Sequence, residues 1–250
     1  HRGQDAAGMV VCDAEGNLNS RKAKGYVRDA FRQNHMDKLI GSYGIGHVRY
    51  PTAGGAGKEF AQPMYVNSPY GISLAHNGNL TNSHELGIQL FHAEMRHLNT
   101  DSDSEVLLNI FAHELGKQRE IYPKPEHIFK AVSKTHRRCD GAYAVIAVIT
   151  GHGILAFRDN NGIRPLSIGI REGKTRDEYI VASEDAMFSS QGFKKLRDVE
   201  PGEAIFIDKN GKFTSQQCAD DPQLRPCIFE QVYFARPDSK IDQISVHKSR

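Results

Sequence analysis

The sequence predicts an α+β protein in which antiparallel sheets pack face to face with helices outside. Three observations support this prediction. Residues 142–149 form a run that is apolar on both faces, as a strand covered by a layer on each side must be. A turn at 151–153 leads into a second apolar run at 154–157, which makes the two strands antiparallel neighbours. Helical periodicity is confined to limited regions instead of alternating strictly with strands, as it would around a parallel sheet.

The first half of the chain mixes short strand and helix signals. A buried strand is predicted at 8–12, followed by a hairpin turn at 13–17. A mixed helical stretch covers about 27–39. A further helix begins at Asn82, where Glu85 three positions later gives a capping signal. The apolar face predicted for that helix comprises Ile88, Phe91, Met95 and Leu98.

The second half begins with helices and ends with strands. Ser102 and Glu105 form a capping box before a helix over about 106–115, and a third helix is centred on 128–132. Residues 208–211 give a hairpin turn. Further short strands are predicted at 166–170, 179–182, 204–207 and 213–215.

Composition describes an ordinary globular protein. The 250 residues suffice for one large domain or two small ones, and they are 39% hydrophobic and 25% charged with a net charge of +2. This balance predicts neither a nucleic-acid nor a membrane partner. The sequence has no apolar run of transmembrane length and no signal-peptide pattern.

The cysteines and histidines predict no metal site. The four cysteines are widely spaced and form no C-x-x-C, so neither a zinc site nor a secreted disulfide framework is indicated, and a reducing, cytoplasmic setting is predicted. His92 and His97 are five positions apart and do not share a helix face. The cysteines are Cys12, Cys139, Cys218 and Cys227.

The stretch Ala75-His76-Asn77-Gly78-Asn79-Leu80-Thr81-Asn82 is predicted as a sharp turn between a strand and a helix. Asn and Gly tolerate positive φ, and such a turn exposes backbone N–H groups and a side-chain amide. Those donors are what an oxyanion site requires. Asn-Gly is also the strongest short signal for a hairpin turn, so a purely structural role is the alternative.

Two charged positions complete the candidate site. Arg49 closes a short strand and precedes a loop rich in proline and glycine, where it can grip a carboxylate while the loop closes. A solvated surface arginine is the alternative. In the stretch 100–105, one acid is predicted to point toward a bound ammonium group, although acids in a first helical turn also complement the helix dipole.

Six stretches, in order along nearly the whole chain, resemble the amidophosphoribosyltransferase family. The resemblance implies that this is the family's glutaminase half, an N-terminal-nucleophile (Ntn) hydrolase with a four-layer αββα sandwich. The stretches are His1-Arg2-Gly3-Gln4-Asp5, Gly46-His47-Val48-Arg49-Tyr50, His76-Asn77-Gly78-Asn79, Ser102-Asp103-Ser104-Glu105, Arg158-Asp159-Asn160-Asn161-Gly162-Ile163-Arg164-Pro165-Leu166 and Tyr233-Phe234-Ala235-Arg236-Pro237-Asp238-Ser239.

The resemblance implies a role for each candidate. Arg49 would hold the α-carboxylate of glutamine and Asp103 its α-ammonium. The amide of Asn77 and the backbone N–H of Gly78 would form the oxyanion hole. The other implied substrate-binding residues are Thr52, in a loop from Tyr50 to about Phe60 that would close over glutamine, and Arg2 with Gly3, which would line the nucleophile pocket.

The chain departs from the family at the nucleophile. The family uses an N-terminal cysteine whose own α-amine is the base, but residue 1 here is His. The resemblance therefore implies a glutaminase domain over 1–225 without its cysteine and first strand, and a connector over 226–250 toward a phosphoribosyltransferase half. The phosphoribosyltransferase half would bind phosphoribosyl pyrophosphate (PRPP) with Mg²⁺, so no cofactor is expected in this chain.

The predicted function is the glutaminase portion of an enzyme that converts PRPP to 5-phosphoribosylamine in purine biosynthesis. The parent enzyme is expected to be a cytoplasmic homo-oligomer, and the 250 residues alone are expected to be inactive. The alternative is a nucleophile-less glutamine-binding module of another Ntn amidotransferase, because the ligand clamp is present and the nucleophile is not.

Overall fold

The computed structural model describes residues 2–50 and 57–249. In these ranges the helices are α1 (Val27–Ala30), α2 (Gln33–Met36), α3 (Ser83–His92), α4 (Asp103–Gly116), α5 (Pro125–Arg138) and α6 (Val246–Ser249), with 3-10 turns at Lys58–Phe60 and Ser189–Gln191 and a π-helix at Glu230–Phe234. The strands are β1 (Ala6–Cys12), β2 (Leu18–Lys24), β3 (Tyr43–Arg49), β4 (Met64–Val66), β5 (Ile72–Leu80), β6 (Gly141–Ile149), β7 (Gly153–Arg158), β8 (Ser167–Arg171), β9 (Glu178–Ala182), β10 (Lys194–Asp198), β11 (Glu203–Asp208), β12 (Phe213–Gln217), β13 (Lys240–Ile241) and β14 (Ile244–Ser245).

A six-stranded antiparallel sheet, ordered β12-β11-β7-β6-β5-β4, forms the centre of the molecule. Helices α3, α4 and α5 cover one face of this sheet. Leu107 and Phe111 of α4 join Leu74 and Val145 of the sheet in the largest buried apolar cluster. Burial of this apolar area, and not helix propensity, accounts for most of the stability of these helices.

Two three-stranded sheets cover the other face. Val10 and Ile45 of the sheet β2-β1-β3 pack against Val148, and the sheet β10-β8-β9 packs through Ile168 against Ile205. Helix α1 contacts β1 and β2. The predicted α+β arrangement of antiparallel sheets packed face to face is therefore confirmed.

The strongly apolar elements lie where the sequence predicts them. The runs at 142–149 and 154–157 are β6 and β7, which are antiparallel neighbours. The helices expected over about 106–115 and around 128–132 are α4 and α5. In each of these elements the apolar residues recur at the period of a strand or a helix, so the local sequence is enough to predict the element.

The turn predicted at 75–82 is wrong. Strand β5 continues to Leu80 and pairs with β6 along its whole length, so Asn77 lies opposite Ala144 inside the sheet. Gly78 has a φ of +149°, and a Cβ on it would lie 1.8 Å from the carbonyl oxygen of Ala142. The glycine is therefore required by the close approach of two strands, not by a turn.

Two helical predictions also need correction. The stretch 27–39 forms two four-residue helices, separated by extended backbone at Arg32. Arg21 binds the carbonyl of Ala30 through its side chain, which satisfies a terminal group of α1. Helix α3 buries Leu86 and Leu90. Three of the residues predicted for its apolar face are exposed, namely Ile88, Phe91 and Met95.

The predicted capping pairs form only in part. Ser102 does cap α4 by accepting from the N–H of Ser104 at 3.3 Å. Glu105 does not reach back to Ser102 but accepts four hydrogen bonds from Asn99 and Thr100, which fix the preceding loop. The side chain of Asn82 likewise makes no cap and binds the end of α5 instead.

The C-terminal segment 226–249 packs on the body of the molecule. Ala235, Ile241 and Val246 form a small buried cluster. Asp242 pairs with the buried Arg158 at 2.7 Å, so the segment predicted as a connector is held by a buried ion pair. The division at residue 225 stays a prediction.

Candidate active site

The candidate residues lie around the part of β5 that extends beyond β4. Strand β4 pairs only with residues 72–74, so the next N–H groups on that edge of β5 need other partners. The N–H of His76 donates to Gln62, and that of Leu80 donates to Asp103. Because alternate residues of a strand share an edge, the N–H of Gly78 lies between these two, and it has no hydrogen-bond partner within residues 2–50 and 57–249.

Asp103 is the first residue of α4, where its carboxylate points back to β5. Oδ2 accepts from the N–H of Leu80 at 3.0 Å and lies 3.8 Å from Nε2 of His76. Its side chain is 21% exposed, which leaves one side of the carboxylate open to solvent. The carboxylate of Asp103 therefore contacts β5, and its predicted role toward an ammonium group stays a prediction.

Arg49 ends β3 and is buried. Its Nη1 donates to Asp5 at 2.8 Å, and its guanidinium lies 5.5 Å from the ring centroid of Phe60. A guanidinium has five N–H donors in a planar fork, the geometry that binds a carboxylate through two parallel hydrogen bonds.

Two histidines link these charged groups. Burial lowers the pKa of His47 to about 4, and the nearby His76 and Arg49 act in the same direction. Burial also lowers the pKa of His76, an effect that Asp103 opposes. Both rings are therefore neutral at pH 7; Nε2 of His76 lies 3.8 Å from Asp103, and His47 lies two positions before Arg49 on β3.

Asn77 and Arg2 are connected through Arg164 and Glu230. Oδ1 of Asn77 accepts from Nη2 of Arg164 at 2.6 Å. Arg164 in turn pairs with Glu230 at 2.6 Å, and Arg2 donates to the same carboxylate at 3.0 Å. Arg2 also pairs with Glu184 at 2.6 Å, so its guanidinium is held by two carboxylates.

Gly3 lies against the backbone of β3. A Cβ at this position would be 2.6 Å from the carbonyl oxygen of Arg49, so any side chain would push the entering chain away from Arg49. Thr52 and most of the predicted closing loop, at 51–56, lie outside the described residues. The roles assigned to Arg49, Asp103, Asn77, Gly78, Thr52, Arg2 and Gly3 stay predictions.

Sequence reasoning missed Arg164 and Glu230. The available signal was the stretch 158–166, which marked the family resemblance but received no role. The pairs involved are also distant in sequence, since 87 positions separate Asn77 from Arg164. Such pairs leave no periodic pattern in a single sequence.

Within the ranges that the structure describes, no group of three or more His, Cys, Asp or Glu side chains could hold a metal ion. None of the helices in those ranges is long and apolar enough to cross a membrane.

Comparisons with known proteins agree on the type of domain. A family model described as a glutamine amidotransferase domain matches residues 55–190. The chain is 57% identical to the amidophosphoribosyltransferases of Pseudomonas aeruginosa and Escherichia coli, with all of this chain and 50% of each relative aligned. The chain thus spans about half the length of the curated relatives it matches.

A solved structure supports the same conclusion. The chain is similar to the glutamine PRPP amidotransferase from B. subtilis complexed with ADP and GMP, with a TM-score of 0.82 and 35% identity over 99% of this chain and 50% of that one. This likeness confirms the predicted fold, the layered Ntn-hydrolase sandwich.

Proposed function

Because this chain belongs to the glutamine amidotransferase family, we propose that it is the glutaminase half of an amidophosphoribosyltransferase. The observation that carries the proposal is the arrangement at the edge of β5. There the N–H of Gly78 has no partner among residues 2–50 and 57–249, the amide of Asn77 accepts from Arg164 and the carboxylate of Asp103 lies on the same edge. Those groups match the two ends of glutamine, a side-chain amide and a zwitterionic backbone.

The zwitterion is bound by opposite charges. Arg49 takes the α-carboxylate through its buried guanidinium, whose planar fork suits two parallel hydrogen bonds to a carboxylate. Asp103 takes the α-ammonium group, with its carboxylate held in place by the N–H of Leu80. An analogue lacking either charge loses one of these two charge-assisted interactions, so the site should discriminate against it.

The reaction requires a thiolate to attack the amide carbon of glutamine. The carbonyl oxygen then becomes an oxyanion, to which Nδ2 of Asn77 and the N–H of Gly78 donate. Burial raises the pKa of Cys139 and of Cys218 to about 12, so neither is a ready nucleophile. All four cysteines lie inside the chain, so none has the free α-amine that would serve as its base, and we expect the 250 residues to bind glutamine without hydrolysing it.

In the whole protein, ammonia released here would pass to PRPP bound in the other half, together with Mg²⁺. This part of the proposal rests on the relatives, whose name specifies the acceptor reaction. A cytoplasmic homo-oligomer is part of the same proposal. No described residue is assigned to PRPP or to Mg²⁺.

Calorimetry on the 250-residue chain tests the binding site. L-glutamine should bind, whereas glutamine amidated at its α-carboxylate or acetylated at its α-amine should not. Arg171→Gln, which alters an exposed ion pair with Glu178, is the matched control and should bind glutamine normally. Equal binding of the blocked analogues would refute the proposed clamp.

The full-length protein tests the reaction. It should release ammonia from glutamine and form phosphoribosylamine when PRPP and Mg²⁺ are supplied. Binding of glutamine without ammonia release would instead favour the second candidate, a glutamine-binding module.

A further inference from the structure

The side-chain amide of Asn77 is oriented by a hydrogen bond from Arg164. Nη2 of Arg164 lies 2.6 Å from Oδ1 of Asn77. A guanidinium can only donate hydrogen bonds, so the atom that faces it must be the amide oxygen. The amide nitrogen, which carries both N–H donors, is thereby turned away from Arg164.

We propose that Arg164 is a positioning residue for glutamine hydrolysis, which fixes the Asn77 amide so that its Nδ2 donates to the oxyanion. The inference rests on the proposed function. It extends that function because Arg164 would touch neither glutamine nor the nucleophile and would act only through Asn77. Without it, the amide could rotate and present its oxygen, an acceptor, to the developing negative charge.

Arg164 is itself held firmly. Its side chain is 13% exposed, and it pairs with Glu230 at 2.6 Å, whose side chain is 3% exposed. Its guanidinium also lies 5.3 Å from the ring centroid of Phe234. Both partners belong to the π-helix of the C-terminal segment, so that segment sets where Arg164 points.

The loop that carries Arg164 is organised by Arg158, the last residue of β7, and by Asp159 directly after it. The carboxylate of Asp159 accepts from the backbone N–H groups of Asn161, Ile163 and Arg164. Arg158 donates to the carbonyl oxygen of Arg164 at 2.7 Å and to that of Gly162. These hydrogen bonds fix the backbone of residues 158–164, and they thereby hold Arg164 in the position from which it contacts Asn77.

The test uses the full-length protein and the ammonia-release assay. Arg164→Gln should lower kcat by roughly 10- to 100-fold, somewhat less than complete loss of an oxyanion donor, while the KM for glutamine stays within about twofold. Arg164→Lys keeps a positive charge and a hydrogen-bond donor, so its kcat should fall less than that of Arg164→Gln. Arg171→Gln, at an exposed ion pair, should match the unmodified protein.

A double-mutant cycle separates positioning from general structural support. In an Asn77→Ala background, Arg164→Gln should cause no further loss of kcat, because the amide that Arg164 orients is gone. Multiplicative losses would overturn the positioning role of Arg164, as would unchanged kcat in Arg164→Gln. If Arg164→Gln does not fold, the same cycle with Arg164→Lys decides. Failure of the unmodified protein to release ammonia would overturn both this inference and the proposed function.

Discussion

Arg49 and Asn77 should fail in different ways, because one would bind the resting substrate and the other the transition state. Arg49 is buried at the end of β3, and its positive charge would bind the α-carboxylate of glutamine, which does not change during the reaction. Asn77 would form its important hydrogen bond only after the oxyanion appears. Interactions that exist in both states change KM, whereas those confined to the transition state change kcat.

We therefore expect Arg49→Ala in the full-length protein to raise the KM for glutamine at least about tenfold, since a hydrogen bond to a charged group contributes about 1.5–3 kcal/mol. Asn77→Ala should lower kcat by about 10²- to 10³-fold with little change in KM. Steady-state ammonia release measures both constants. A fall in kcat for Arg49→Ala together with a rise in KM for Asn77→Ala would contradict the roles assigned to these residues.

Strand β5 tolerates no side chain at its glycine. Gly78 combines a positive φ with a β6 carbonyl that a Cβ would approach to 1.8 Å. Gly87, in the middle of α3, has a helical backbone and only Leu98 nearby, at an ordinary 3.6 Å. The two positions therefore form a matched pair for the same substitution.

Gly78→Ala should lower the free energy of unfolding by at least about 2 kcal/mol, through strain and a disrupted β5–β6 pairing. Gly87→Ala should raise it by about 0.5–1 kcal/mol, because alanine loses less backbone entropy in a helix. Urea denaturation of the 250-residue chain measures both. A neutral Gly78→Ala would mean that the β5–β6 contact is looser than the structure indicates.

Helix α5 packs an uncharged histidine against β6, which makes stability depend on pH. Nδ1 of His136 lies 2.8 Å from the hydroxyl of Tyr143, and burial lowers the pKa of His136 from 6.5 to about 4. The unfolded chain therefore binds this proton more readily than the folded one. Stability from this residue is complete above pH 6.5 and is lost as pH falls toward 4.

When the pH is lowered from 7 to 5, His136 alone should lower the free energy of unfolding by about 2 kcal/mol. His136→Gln retains a hydrogen-bonding group opposite Tyr143 but cannot titrate, so its stability should fall less over the same interval. Urea denaturation at the two pH values gives the comparison. An identical fall in both proteins would contradict a neutral, buried His136.

Across the whole molecule, charged side chains tie the C-terminal segment to the body. Arg158 and Asp242 have side chains only 1% and 6% exposed, and Arg158 also donates to the carbonyls of Val199 and Gly162. Removing one member of a buried pair leaves the other charge uncompensated. This arrangement makes residues 226–249 part of the structure around Arg164.

Asp242→Asn should therefore lower the free energy of unfolding by about 3 kcal/mol. Asparagine tolerates the positive φ of 47° at this position, so the change isolates the charge. Asp238→Asn, which removes an exposed pair with Arg236, is the control and should change stability little. Urea denaturation, with limited proteolysis of the C-terminal segment, measures the difference, and equal effects would show that the buried pair is not an anchor.

Local sequence patterns predicted the elements in which all neighbouring residues favour the same secondary structure. The apolar runs of β6 and β7, the helices α4 and α5 and the N-cap Ser102 were all predictable, because each depends on neighbours a few positions away. Arg49, at the end of β3, could be selected as a candidate for the same reason, whereas Asp103 was selected among the acids of 100–105 by the family resemblance. Their types and local positions already suit a zwitterionic ligand.

The tertiary structure alone decided the rest. Asn77-Gly78 has the local chemistry of a turn, yet pairing with β6 keeps it extended, since the distant strand satisfies hydrogen bonds that a turn would leave open. Leu86 and Leu90, rather than the exposed Ile88 and Phe91, face the core only because of where α3 docks. The contact of Arg164 with Asn77 requires two elements from opposite halves of the chain to meet, and no short-range pattern encodes such a meeting.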